Sequence, residues 1–477
     1  MIRRGVSKAV YVAAIILLII VILGGLWFYG FFGPEPAEEG EEGPPPQEGI
    51  VLKIITRHPS TIWTLTKESF LNSDIAKKYN IVDLKFIGPN PVLWIDTINR
   101  VGDIDVAWGG GPTLFDQLIR ADLLAPITDE ETLATMDEIP DSVGGSPLKR
   151  IIDGQVYWVA AAISSFGFIV NGPVLEKLGL PPPETWEDLG SVEFAKLLPK
   201  PVVAYARPTT STSHTRIYQI ILQKFGWDMG WVVITRMAAN GKPYDGSVEA
   251  LTAVETGDVA VSIGIDFYGY TAQIEYPGNY YVLPFNESII NGDPIALLKT
   301  SKYPEAAQAF IRWVISVDGQ KIWLDKRVNR LPVREDVFQT PEGRARQDLY
   351  ESYKAALNNI GIPFNDTLAL QTEFAMRYYF DAVLADVHDE LVQAWKAIVD
   401  AYLSGRITDE EFDRWVYELG KPLSWEEDGE VKTFTLEFAM EINDDLYTSP
   451  EAVAKYQQIW REAARERYRA IVQALSG

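Results

Sequence analysis

Apolar and polar positions along the chain fall into distinct regimes. From Ala9 to Phe32 the run AVYVAAIILLIIVILGGLWFYGFF holds 24 residues without a charge. At about 1.5 Å per helical residue it spans roughly 36 Å and predicts a membrane-crossing helix. Residues 33–49, GPEPAEEGEEGPPPQEG, are almost entirely Pro, Glu and Gly, a composition that cannot build a core and predicts an extended, self-repelling tether. From residue 50 short apolar runs alternate with amphipathic stretches. Ile50 to Ile55, Val82 to Ile87 and Ile104 to Trp108 predict buried strands with helical periodicity between them, which points to a layered α/β fold. Beyond about residue 339 the pattern turns helical. Phe374 to Phe380, Leu391 to Trp395 and Ile459 to Ala464 supply apolar faces, and Gly361-Ile362-Pro363, Gly405, Gly420-Lys421-Pro422 and Gly429 are turn signals.

Arg3, Arg4 and Lys8 precede the apolar run and acidic residues follow it. The positive-inside rule therefore predicts a single-pass protein of the cell membrane, with its N-terminus cytoplasmic and its ectodomain extracellular. Trp27, Phe28 and Tyr29 fall where an interfacial belt belongs. A secretory signal peptide would carry a shorter apolar core followed by an A-x-A site, so we read a retained anchor. Ahead of the helix, Arg4-Gly5-Val6-Ser7 resembles the processing site of archaeal pilin-like (class III) signal sequences. That resemblance implies cleavage between Gly5 and Val6, with the helix kept and available for self-assembly. A basic N-region (1–8) that only sets topology is the alternative, and both stand.

Composition narrows the function. Lys plus Arg total 43 against 66 Asp plus Glu, a net charge of -23, which disfavours nucleic acid as a partner. The absence of cysteine excludes disulfides, thiolate metal sites and Cys nucleophiles. The three histidines, His58, His214 and His388, leave little for a His-rich metal site. The chain has no G-x-S-x-G, H-E-x-x-H, Walker A or EF-hand signature, so neither catalysis nor a cofactor nor a metal is expected. Asp386, His388, Asp389 and Glu390 read as a solvated helix face. Asn286 and Asn365 head N-x-S/T sequons and are glycosylation candidates.

Three segments in order, DIDVAWGGGPTLFDQLIRADLLAP, GQVYWVAAAISSFGFIVNGPVLEKLGLPPPETWEDL and NGDPIALLKTSKYPEAAQAFIRWVISVDGQKIW, resemble the extracellular solute-binding proteins of ABC importers. These share the two-lobed periplasmic-binding-protein-like (type II) fold of iron, polyamine, thiamine and sugar receptors. The resemblance implies a first lobe from 50–160 and 284–327 and a second from 161–283 and 328–338; the helical stretch 339–477, longer than the family's tail and not set off by a Pro/Gly-rich linker, reads as an extension packed on the second lobe, with an independent helical domain as the alternative. It also implies hinge strands near Ala160 to Phe166 and Val282 to Phe285. Carried over onto this sequence, the cleft residues are His58, Ser60 and Thr61 after the first strand, Trp108, Gly109 and Gly110 after the third, and Ser164, Ser165 and Phe166 at the crossover. The second lobe would add Thr209, Thr210, Ser211, Thr212, Asp266, Phe267 and Tyr268. Iron receptors of this type use adjacent tyrosines, whereas Tyr268 and Tyr270 are separated by Gly269. A sugar stacked on Trp108 and Tyr268, a polyamine facing Asp266, and an anionic solute on the Thr/Ser loop with Arg207 or Arg216 nearby all remain open. The partners implied are that small polar solute and the ABC permease subunits. The readings from other classes are a structural or filament-forming surface protein and an enzyme acting on surface polysaccharide.

Overall fold

The computed structural model describes residues 49–476 apart from 144, 145, 360 and 428. The anchor segment 9–32, the tether up to residue 48 and the Gly5-Val6 site lie outside the described residues. Among the described residues no helix is long and apolar enough to cross a membrane.

Ile50–Gly477 is one compact unit. It opens with β1 (Ile50–Thr56), α1 (Ser60–Phe70), β2 (Ile81–Ile87), α2 (Trp94–Val101), β3 (Val106–Trp108) and α3 (Pro112–Arg120). A 17-residue strand follows, β4 (Gln155–Asn171). Next come β5 (Val203–Ala206), α4 (Thr212–Phe225), α5 (Trp227–Ala239), β6 (Gly241–Tyr244), α6 (Ser247–Glu255), β7 (Val261–Ile265), α7 (Asp266–Glu275) and β8 (Asn279–Val282). The chain returns through β9 (Ile290–Leu298), α8 (Pro304–Ile315) and α9 (Gln347–Asn358), then ends in α10 (Asp366–Phe380), α11 (His388–Leu403), α12 (Leu436–Thr448) and α13 (Pro450–Leu475).

The main sheet runs β6-β5-β7-β4-β9-β3-β1-β2. β4 belongs to both lobes: Val159 to Ser165 pair antiparallel with β9, and Phe166 to Val170 pair antiparallel with β7. The change of partner falls between Ser165 and Phe166. The chain passes back between β8 and β9, and again between α9 and α10, where the Ile362 amide donates to the Ser288 carbonyl at 3.1 Å. Strand alternation sorts the first-lobe core. In β1, Leu52 and Ile54 pack with Phe310 and Trp108 on one face while Ile55 joins Trp94, Phe115 and Trp158 on the other.

In the second lobe, Val203 and Tyr205 of β5 share a core with Trp231 of α5 and with Phe380, Trp395, Ile442 and Trp460 of the C-terminal helices. Several expectations need correction. Val328, Leu331, Val333 and Phe338 pack in the first-lobe core, as do Leu349 and Tyr353 of α9. Leu331 pairs with Ile163 in the first half of β4. Residues 328–338 and α9 thus pack with the first lobe, not the second. The helical stretch is also broken by a hairpin, Ser424–Glu427 with Glu430–Thr433, which turns at Gly429 with φ +80°. The group at 386–390 is no bare solvated face, because Asp386 pairs with Arg207 and Arg461 and Glu390 with Arg465.

Candidate ligand cleft between the lobes

A cleft of about 790 Å³ lies where the strands of both lobes end. Its wall is built from the starts of helices. Arg57, His58 and Pro59 lead into α1, Gly110, Gly111 and Thr113 into α3, Ser211, Thr212 and Ser213 into α4, Gly246, Ser247 and Val248 into α6, and Phe267 and Tyr268 belong to the first turn of α7. Each helix start presents amide N–H groups without an intrahelical acceptor and the positive end of the helix dipole. Five of them facing one cavity make a region suited to negative charge.

Arginines sharpen this. Arg330 is 4% exposed. Its guanidinium lies 5.3 Å from the Trp323 ring of the first lobe and 4.8 Å from the Phe267 ring of the second, bonds Asp293 at 2.7 Å, and donates to Ser164 Oγ at 3.1 Å. It also reaches His58 Nδ1 at 3.2 Å, so Nδ1 is the acceptor and the ring proton sits on Nε2, 3.7 Å from Asp293. Burial, reinforced by Arg330 and Arg57 against the pull of Asp293, lowers the His58 pKa to about 3, and the imidazole is neutral. Burial alone would raise the Asp293 pKa, but Arg330 and the Gly110 and Gly111 amides hold its carboxyl below the usual range. Arg216 donates to Asn291 at 3.1 Å, bonds Asp366 at 2.7 Å and stacks on Phe364. Arg330 Nε and Arg216 Nη1 have no partner among the described residues. Each of these buried arginines is matched by one carboxylate, so the donors left for an anion are those of the helix starts and of exposed Arg57, whose guanidinium donates to the Pro89 carbonyl at 3.3 Å. Asp96, Asp245 and Glu249 also line the cleft but are exposed at its rim. Beside the α4 start, Ser211 Oγ, Ser213 Oγ and Ser247 Oγ lie within 3.2 Å of one another.

The expected residues separate into two groups. His58, Gly110, Ser164, Phe166, Thr210, Ser211, Thr212, Phe267 and Tyr268 line the cleft, and the rest do not. Trp108 is fully buried, edge-on to His58 at 4.7 Å and near Trp323 and Phe310. Gly109 is packed so closely that a Cβ there would lie 2.6 Å from His58, and its amide donates to the Pro294 carbonyl. Asp266 is fully buried, with its carboxylate held by the Ser165 amide and hydroxyl. That contact turns Ser165 inward too. Thr209 donates to Asp381 at 2.5 Å, Ser60 lines a different groove beside Trp63 and Lys67, and Thr61 is half-buried within α1. Arg207 is tied to Asp386 rather than to the cleft. The sequon residues Asn286 and Asn365 are exposed, and the Asn365 side chain caps α10. Sequence reasoning missed Arg57, Asn291, Asp293 and Arg330. Asn291 and Asp293 left a signal, two polar residues alternating within the apolar strand Ile290–Leu298, whereas Arg330 left none.

Residues 90–321 match the family described as bacterial extracellular solute-binding protein. The phosphoglycerate transport regulatory protein PgtC of Salmonella typhimurium is 25% identical over 308 residues, 64% of this chain and 70% of its own. Among solved structures, the periplasmic binding protein AfuA of Actinobacillus pleuropneumoniae, with exogenous fructose-6-phosphate bound, superimposes with a TM-score of 0.51 at 17% identity, covering 64% of this chain and 98% of that one. The GacH receptor of Streptomyces glaucescens, known unliganded and in complex with acarbose, gives 0.52 at 13% identity, covering 78% and 97%. The fold is thus that of the two-lobed periplasmic binding proteins, and residues 90–321 within it are similar to the bacterial extracellular solute-binding proteins.

Proposed function

We propose that the chain is a membrane-anchored receptor that closes its two lobes around a small organic anion, a phosphate or carboxylate, and hands it to an ABC permease. The observation that carries the anion is the convergence of five helix starts with Arg57, Arg216 and Arg330 on one cleft, inside a chain whose net charge is -23. Such a concentration of donors disfavours a polyamine. The relative named for phosphoglycerate transport and the neighbour holding a sugar phosphate support the same class. In this reading the apolar segment 9–32 holds the receptor at the cell membrane and the 33–49 tether lets the ectodomain reorient, which keeps its concentration near the permease high. Isothermal titration of the purified full-length chain with inorganic phosphate, glycerol 3-phosphate, maltose and spermidine tests it. The phosphates bind and Arg330→Met weakens them by about tenfold or more, the worth of one charge-assisted contact. Binding of maltose or spermidine with no response to either phosphate sinks the reading.

A further inference from the structure

The C-terminal helices do more than cover the second lobe. Glu373 and Arg377 of α10 and Tyr447 of α12 line the same cleft, although the family match ends at residue 321. Glu373 and Arg377 are 5% and 7% exposed and pair at 3.0 Å, one helical turn apart. Gln117 of α3 donates to Glu373 Oε1 at 3.1 Å, and Arg377 Nη2 donates to the Thr209 carbonyl at 3.0 Å. These bonds would suffice for a structural tie. They leave Glu373 Oε2 and Arg377 Nε, one acceptor and one donor, buried and without a partner among the described residues. Burying a donor or acceptor atom of a charged group without a hydrogen bond is costly, and cleft-lining groups that keep such an arrangement call for a partner that both donates and accepts. Beside them Phe374 and Tyr447 form an aromatic wall with ring centroids 4.7 Å apart.

From this juxtaposition we infer a second subsite on α10 and α12 that binds the hydroxylated end of the solute. One hydroxyl donates to Glu373 Oε2 and its neighbour accepts from Arg377 Nε, while the carbon skeleton lies against Phe374 and Tyr447. The solute class is then a polyhydroxylated phosphate or carboxylate of sugar size rather than a three-carbon anion. The cleft volume of about 790 Å³ agrees, since it lies well inside the range of sites that enclose ligands larger than a three-carbon acid. This inference rests on the anion reading, which places the charged end at the helix starts with Arg57, Arg216 and Arg330.

The test is titration of the full-length parent, Glu373→Gln and Tyr447→Ala with fructose 6-phosphate and glycerol 3-phosphate as probes. Tyr447 is 44% exposed, so Tyr447→Ala folds even where Glu373→Gln proves unstable. The parent binds the hexose phosphate about tenfold or more tighter than glycerol 3-phosphate, and each variant loses most of that margin while glycerol 3-phosphate binding stays within about twofold. Equal losses on both probes, or a parent that does not distinguish them, overturn the subsite and leave the anion reading standing. Failure of both phosphates to bind removes the anion reading and the subsite with it.

Discussion

Asp266 follows β7 directly, and its carboxylate accepts from the Ser165 amide at 2.7 Å, the Ser165 hydroxyl at 3.1 Å and the Phe267 amide at 2.8 Å. It thereby clips α7 to the residue where β4 changes partner. Asp266→Ala strands the buried Ser165 donors and should destabilise the solute-free protein by about 1–3 kcal/mol, seen as a lower Tm, whereas a ligand contact would leave the solute-free Tm unchanged. Burial, against the bonds from Ser165 and the charge of Arg330, raises the Asp266 pKa from 3.8 to about 7. A carboxyl raised in the folded state holds its proton more tightly than in the unfolded chain. Its contribution to stability is therefore complete below about pH 4 and is lost as pH rises through about 7. Asp381, pushed up to about 6 mainly by burial, adds a slope of the same sign, so the useful measurement is a difference. Denaturant unfolding across this window should show a flatter pH dependence for Asp266→Asn than for the parent, by at most about 1.4 kcal/mol per pH unit. Trp108→Ala removes a core side chain that touches no solvent and should cost about 3–5 kcal/mol, read from the same unfolding curves.

The start of α4 combines helix formation with recognition. Ser211 accepts from the His214 amide as N-cap, and its hydroxyl also meets Ser247 at 2.7 Å, so one residue orients two of the helix starts in the cleft. Ser211→Ala should lower stability by about 0.5–2 kcal/mol through the lost cap and weaken anion binding as well. Thr210, exposed in the same loop, has no capping role, and Thr210→Val should weaken binding with Tm unchanged. Comparing the two variants by thermal melting and titration separates cap from contact. The Thr/Ser loop was legible in the sequence, as were the strands β1, β2 and β3, because each is coded by neighbours within about ten residues. Side-chain direction at strand ends was not. Trp108 and Asp266 both stand beside the cleft in sequence, yet pack inward because Phe310, Trp323 and Ser165, residues distant along the chain, complete their surroundings. Arg330 entered the cleft unannounced for the same reason: Asp293, Ser164 and His58 become its partners only once the lobes are assembled.

At the scale of the whole molecule, the first lobe touches the second and its helical extension at two kinds of place. Three chain passages connect the lobes covalently. Elsewhere, side chains reach across, with Gln117 of α3 bonded to Glu373 of α10 at 3.1 Å and Arg120 of α3 paired with Asp444 of α12 at 3.2 Å. Any opening of the cleft that separates α3 from the C-terminal helices must break these ties, so they weight the lobe arrangement that binds solute, and the Arg120–Asp444 pair does so from outside the cleft lining. The Arg120–Asp444 pair is exposed, 51% and 74% at its side chains, and an exposed pair is worth at most about 1 kcal/mol. Arg120→Glu sets like charges against each other there and should lower the population of the binding-competent arrangement by up to about fivefold, reducing apparent affinity by the same factor. The loss should be uniform across solutes, because a population term multiplies every affinity equally. It should shrink as salt is raised from about 0.05 to 0.5 M, because the charges are exposed and screened. Titrations with phosphate, glycerol 3-phosphate and fructose 6-phosphate at the two salt concentrations check both points. An affinity loss confined to one solute would place Arg120 in contact with ligand, and an unchanged affinity for all three would show that the α3–α12 tie carries no weight in closure.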